Sequence, residues 1–226
     1  MTQDFVALLQ NYFLLPFYVV ALIIAVRYYK KYFDTALKYF PILIAYTFFN
    51  ELLGHLIRYS DDFAFLPDKT FANDIIYNIY DLFYYGFYFF VFWTLAIKPR
   101  HKLFIKIIIF SVLGIYIINS FVQNPMQISL YYARSLTSIM LAICAVLYWL
   151  SKEQWNWGAE KYNLMFWVSL GLFIFHLIFP FLFLTGYLKS EIWYKYEFQT
   201  ILRISVVIMY SLFCTGFIIS HRRAFG

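Results

Sequence analysis

Read as apolar and polar positions, the chain divides into seven apolar runs near residues 5–28, 38–59, 71–97, 103–122, 127–150, 163–187 and 192–219. A hydrocarbon core of roughly 30 Å needs about 20 mostly apolar residues in a helix, and each run supplies them. The runs are continuous rather than alternating, which predicts spanning helices and excludes a transmembrane barrel. The polar intervals between them are about a dozen residues or fewer, too short for a soluble core of their own. The predicted fold is all-α, one polytopic bundle of seven transmembrane helices over residues 1–226.

Lys and Arg accumulate on the cytoplasmic side of membrane proteins, so the connections sort by positive residues alone. One side carries Arg27, Lys30, Lys31 and Lys38, then Lys98, Arg100, Lys102 and Lys106, then Lys152 and Lys161, and finally Arg222 and Arg223. The other carries Arg58, Lys69, Lys189 and Lys195 beside the acids Asp61, Asp62 and Asp68. The N-terminus is therefore expected outside and the C-terminus in the cytoplasm, with the chain in a plasma (inner) membrane. Tryptophan prefers the interface, and Trp93, Trp149, Trp155, Trp157 and Trp167 fall near the expected inner boundary, Trp193 at the outer one. Short connections predict antiparallel neighbours.

Composition sharpens the class. Hydrophobic residues make up 63%, aromatics 25% and charged residues only 13%, with a mean hydropathy of +0.68. Soluble domains carry about a quarter charged residues, so this is an integral membrane protein. The net charge of +6 sits at the flanks of the apolar runs, and no motif supports nucleic-acid binding. The first run has no positive residue before it and no small-residue cleavage site after it, so it reads as a span rather than a cleaved signal peptide. Cys144 and Cys214 lie within apolar runs and read as small buried hydrophobes, not a disulfide.

Against that background the embedded polar residues stand out, because charge inside a bilayer is costly and marks function by default. In "NELLGHLIRYS", Glu51, His55 and Arg58 are four and three apart, one face of a helix. In "NDIIYNIYD", Asp74, Asn78 and Asp81 repeat that spacing on the third run. The fifth run carries Arg134 with Ser138 one turn on, the sixth His176 one turn before Pro180, and the seventh Tyr196, Gln199 and Arg203 on one expected face. With a rise of about 1.5 Å per residue, Glu51, His55, Asp81, Arg134, His176 and Arg203 fall roughly 10 to 18 Å below the outer boundary. The first and fourth runs carry no embedded charge and are expected at the periphery.

These residues predict an outward-facing polar cavity between helices 2, 3, 5, 6 and 7, with Arg134 and Arg203 contacting anions. Glu51 and Asp81 serve there as counter-ions, and His55 and His176 as titratable neighbours. Tyr77, Tyr80, Tyr84 and Tyr85 add apolar area and hydroxyls, a mixture fitted to an amphipathic or charged ligand. A receptor-like or sensory role follows, with membrane lipids, a small-molecule or lipid ligand and a cytoplasmic or membrane signalling partner as expected partners. Two other roles fit the same residues: an intramembrane lipid-modifying hydrolase using carboxylates and histidines, and a small proton-coupled transporter. The plain alternative is helix-to-helix glue, worth about a kcal/mol per contact in membranes. No HExxH, CxxC or glycine-rich phosphate loop is present, so no cofactor and no metal is expected.

With "NELLG" in the second run and "YNIYDLFYY" in the third, the chain resembles small seven-helix membrane proteins of Bacteroidetes-type bacteria. The resemblance implies no activity and carries no site residue. A retinal site is not expected, since Lys195 lies at the outer end of the last run and Arg203 takes the deeper position.

Overall fold

The computed structural model describes residues 14–59, 72–152 and 157–221. Seven helices carry the fold: α1 (Leu14–Arg27), α2 (Phe40–Tyr59), α3 (Ala72–Leu95), α4 (Pro99–Val122), α5 (Tyr131–Leu150), α6 (Leu164–Leu188) and α7 (Phe198–Ile219). Among the described residues there is no strand, and the remaining helical pieces are short turns at Tyr29–Lys31, Trp157–Glu160 and Ser190–Lys195. Six helices, α2 to α7, are long and apolar enough to cross a membrane, and α1 is a shorter apolar helix of 14 residues. The chain is thus an all-helical, multi-pass membrane protein.

Local chemistry sets several ends. Pro99 opens α4, where its missing N–H is one the helix could not have used. Asn163 caps α6 by accepting the Met165 N–H at 3.0 Å. Glu197 adopts a left-handed backbone, φ 49°, which breaks the expected run 192–219 into Ser190–Lys195 and α7. Tyr196 therefore lies in a turn, and Gln199 is exposed in the first turn of α7. The face expected to unite Tyr196, Gln199 and Arg203 does not form, because the helix that would align them starts two residues too late.

The helices close a ring. α1 packs on α2, α2 on α3, α3 on α5, α5 on α6, α6 on α7, and α7 back on α1, while α4 lies outside against α3 and α5. The expectation of a peripheral α4 agrees with this arrangement, and that of a peripheral α1 does not. α1 needs no charge to join the ring, because it buries Leu15, Tyr18, Ala21 and Ala25, with Tyr18 edge-on to Tyr210 of α7 at 4.8 Å.

Aromatic rings fill the interior. Phe40 packs against Tyr88 and Phe213, at 6.0 and 5.2 Å, and Tyr84 against Tyr88 at 5.0 Å. Edge-to-face contacts of this kind add to the area that they bury. α6 and α7 approach closely at two glycines: a Cβ on Gly171 would stand 3.1 Å from the Met209 carbonyl oxygen, and one on Gly216 2.8 Å from Trp167 Cβ.

Side chains also tie helix ends along one face of the bundle. Lys31 Nζ donates to the Phe217 and Ile218 carbonyls, at 3.2 and 2.8 Å, and Lys98 Nζ to the Leu150 carbonyl at 3.0 Å. We call this the basic face, since it gathers Arg27 to Lys38, Lys98 to Lys106, Lys152 and Lys161. Burial lowers the proton affinity of Lys31 from its ordinary value.

Candidate functional site

The stripe on α3 faces α5 and the segment leading into it. Asp74 accepts a short hydrogen bond from the Ser129 hydroxyl. Asn78 donates to the Pro125 and Ile128 carbonyls, at 2.8 and 3.0 Å, and accepts the Leu130 N–H at 3.1 Å. Both amide hydrogens of Asn78 are therefore committed to backbone. One turn further on, Asp81 pairs with Arg134, whose Nε donates to Asp81 Oδ2. The spacing of four and three that defines the stripe thus lays these three polar groups along the α3–α5 seam.

Arg134 is buried, and its guanidinium is held on several sides. Nη2 donates to the Tyr77 carbonyl at 3.2 Å, and the group lies 5.0 Å from the Phe183 ring centre. Tyr131 stacks on both Phe183 and Tyr187, at 4.6 and 4.2 Å, which screens Arg134 with aromatic surface. Nη1 receives no hydrogen-bond acceptor among the described residues. A buried guanidinium has five N–H donors and is always charged, so an uncommitted nitrogen is a chemical opening.

Tyr77 links this pair to α2. Its carbonyl holds Arg134 while its hydroxyl donates to Glu51 Oε2 at 3.1 Å. The Tyr77 hydroxyl can pass there because Gly54 has no side chain: a Cβ would lie 2.8 Å from it. Glu51 is half-buried, and its carboxylate accepts the Tyr77 hydroxyl. Arg203 is half-buried on α7, and His55 is half-buried on α2, one turn from Glu51. The Arg58 side chain, together with Asp61, Asp62, Asp68, Lys69, Trp155, Arg222 and Arg223, lies outside the described residues.

A second polar cluster lies one turn along the same seam. His176, fully buried on α6, bonds through Nδ1 to the Ser138 hydroxyl of α5 at 2.6 Å, and through Nε2 to the Tyr84 hydroxyl of α3 at 3.1 Å. Pro180 has no N–H to give the His176 carbonyl, and the Ser138 hydroxyl also points to that carbonyl at 3.4 Å. Tyr85 joins the clusters, its hydroxyl donating to the Arg134 carbonyl at 3.4 Å. Sequence reasoning singled out His176 and Ser138 separately. The signal that would have paired them is Pro180, which frees a carbonyl on the turn that carries the histidine.

Two cavities are described on the bundle. A cleft of about 230 Å³ runs between α3 and α4, lined on α3 by Asp81, Tyr85, Gly86, Phe89 and Trp93 among others. A shallower one beside Arg100 and His101 reaches Leu147. Among the described residues no three His, Cys, Asp or Glu side chains converge as a metal-binding set. Both cysteines are free thiols, Cys144 buried and Cys214 half-buried. Compared with protein-family models, curated proteins and solved structures, the chain matches none.

Proposed function

We propose that this is a receptor-like membrane protein that binds a small amphipathic or charged ligand at Arg134. The reading includes seven spans in a bacterial inner membrane, with the N-terminus outside and the C-terminus in the cytoplasm. The observation that carries it is Nη1 of Arg134, which makes no hydrogen bond among the described residues while the rest of the guanidinium is held by Asp81, Tyr77 and Phe183. A carboxylate, phosphate or carbonyl of the ligand supplies the acceptor, and Glu51, bridged by Tyr77, faces a basic group on the same molecule. A negative group at Nη1 shares the guanidinium charge with Asp81 and so biases the packing of α3 against α5. The signal then passes to a partner at the basic connections.

Native mass spectrometry of gently purified protein tests this. An adduct present in wild type and lost in Arg134→Lys, which keeps the charge but not the planar fork, supports the reading. Identical adducts in both overturn it. A second reading draws on the Ser138–His176 contact at 2.6 Å, which has the form of a nucleophile and its base and fits a lipid-modifying hydrolase. Covalent labelling of Ser138 by a lipid-like fluorophosphonate would favour that reading.

A further inference from the structure

Glycine inside a helix costs about 1 kcal/mol against alanine, and in membranes it usually lets two helices approach. Gly86 on α3 does neither helix that service: a Cβ there would meet nothing within 4 Å. It stands instead in the wall of the α3–α4 cleft, whose lining on α3 steps through Asp81, Tyr85, Gly86, Phe89 and Trp93, while Ile109, Val112 and Tyr116 face it from α4. The stretch from Asp81 to Trp93 rises about 18 Å, close to the thickness of one leaflet of a hydrocarbon core of roughly 30 Å. The missing side chain keeps open a slot of acyl-chain length.

The mouth of the slot is positively charged. Lys102 Nζ lies 4.6 Å from the Trp93 ring centre, and Arg100, His101 and Lys106 share the first two turns of α4 with it. No acidic residue occurs between Asp81 and Glu153, and no carboxylate pairs with Arg100, Lys102 or Lys106 among the described residues. Uncompensated cations at a membrane surface attract anionic lipid.

We infer that the α3–α4 cleft holds one acyl chain of an anionic glycerophospholipid from the leaflet at the basic face, its phosphate resting on Lys102 and on Lys106, one turn along the same face of α4. The chain lies along Phe89 and Gly86 with its end toward Asp81. This site is separate from the ligand assigned to Arg134, and Arg134→Lys should leave it filled, so the two proposals fail independently.

The test is native mass spectrometry of delipidated protein titrated with phosphatidylglycerol or phosphatidylcholine of the same chains. One cation near a membrane surface is worth about fivefold in affinity, so wild type should prefer phosphatidylglycerol by roughly twentyfold. Lys102→Gln with Lys106→Gln should reduce that preference to near unity. Gly86→Leu should fill the slot and lose the adduct, while Gly114→Leu, also in open space but away from the cleft, should keep it. Equal binding of the two lipids by wild type overturns the inference, as does an undiminished adduct in folded Gly86→Leu. A dimer abolished by Gly86→Leu, with no headgroup preference, would place a second copy in the cleft and overturn it too.

Discussion

The hydroxyl of Ser138 stands 2.6 Å from Nδ1 of His176 and 3.4 Å from the carbonyl oxygen of the same residue. On the far side of the ring, the Tyr84 hydroxyl lies 3.1 Å from Nε2 and 3.9 Å from Met209 Sδ. Either tautomer of a neutral imidazole is therefore satisfied. With the proton on Nε2, Ser138 donates to Nδ1 and Tyr84 turns to the methionine. With it on Nδ1, Tyr84 donates to Nε2 and Ser138 turns to the carbonyl. Three helices are joined through one ring without a fixed direction of polarity.

Ser138→Ala leaves Nδ1 with no hydroxyl and should lower stability by about 1 kcal/mol, near the usual value of an interhelical bond in membranes. His176→Ala also empties ring volume packed against Phe175 and Tyr85, and should cost about 3 kcal/mol. Thermal unfolding in a mild detergent measures both. Equal losses would mean that the ring's packing adds nothing to its hydrogen bonds.

Arg134→Leu alone strands Asp81 in the bundle and should destabilise by about 3–5 kcal/mol, whereas Arg134→Leu with Asp81→Leu should recover most of that loss. The double-mutant cycle reads the pair directly. Additive losses would show that the two charges are solvated separately.

Gly171→Ala drives a Cβ against the Met209 backbone and should cost about 1–3 kcal/mol, because a backbone carbonyl cannot swing aside as a side-chain tip can. Gly114→Ala, with nothing within 4 Å, should instead stabilise by up to about 1 kcal/mol. Opposite signs of the change in melting temperature are the expected result.

Asn78→Leu removes three bonds to the segment Pro125–Leu130. Amide exchange should quicken there while the α6–α7 seam keeps its protection. Uniform quickening would assign Asn78 to the whole bundle rather than to that segment.

Much of this architecture is legible in the sequence. Apolar length reports the six long helices directly, and the spacing of Asp74, Asn78 and Asp81 marks one face of α3. What spacing does not report is how far each helix is rotated against its neighbours. The α3 stripe meets the α5 seam, and of its three residues Asp81 also lines the α3–α4 cleft, a division that spacing alone does not show. Depth alone places Glu51 and Asp81 together with Arg134 and Arg203 but does not say which meet: Asp81 meets Arg134, and Glu51 accepts from Tyr77. The lost register of Tyr196 has a local cause, the left-handed Glu197, which a glutamate does not advertise. Gly86 was visible as a glycine within a span, but the space around it depends on where α4 leans.

The closed ring has a consequence for biosynthesis. α1 finds its second neighbour in α7, the last of these helices to leave the ribosome, and Lys31 fastens that joint on the Phe217 and Ile218 carbonyls. Until then every nascent chain is an open arc, in which Tyr18 lacks Tyr210 and Phe40, though still packed on Tyr88, lacks Phe213. Closure is thus a single late event, and quality-control proteases would meet the arc, not the ring, whenever translation stalls before that clasp emerges.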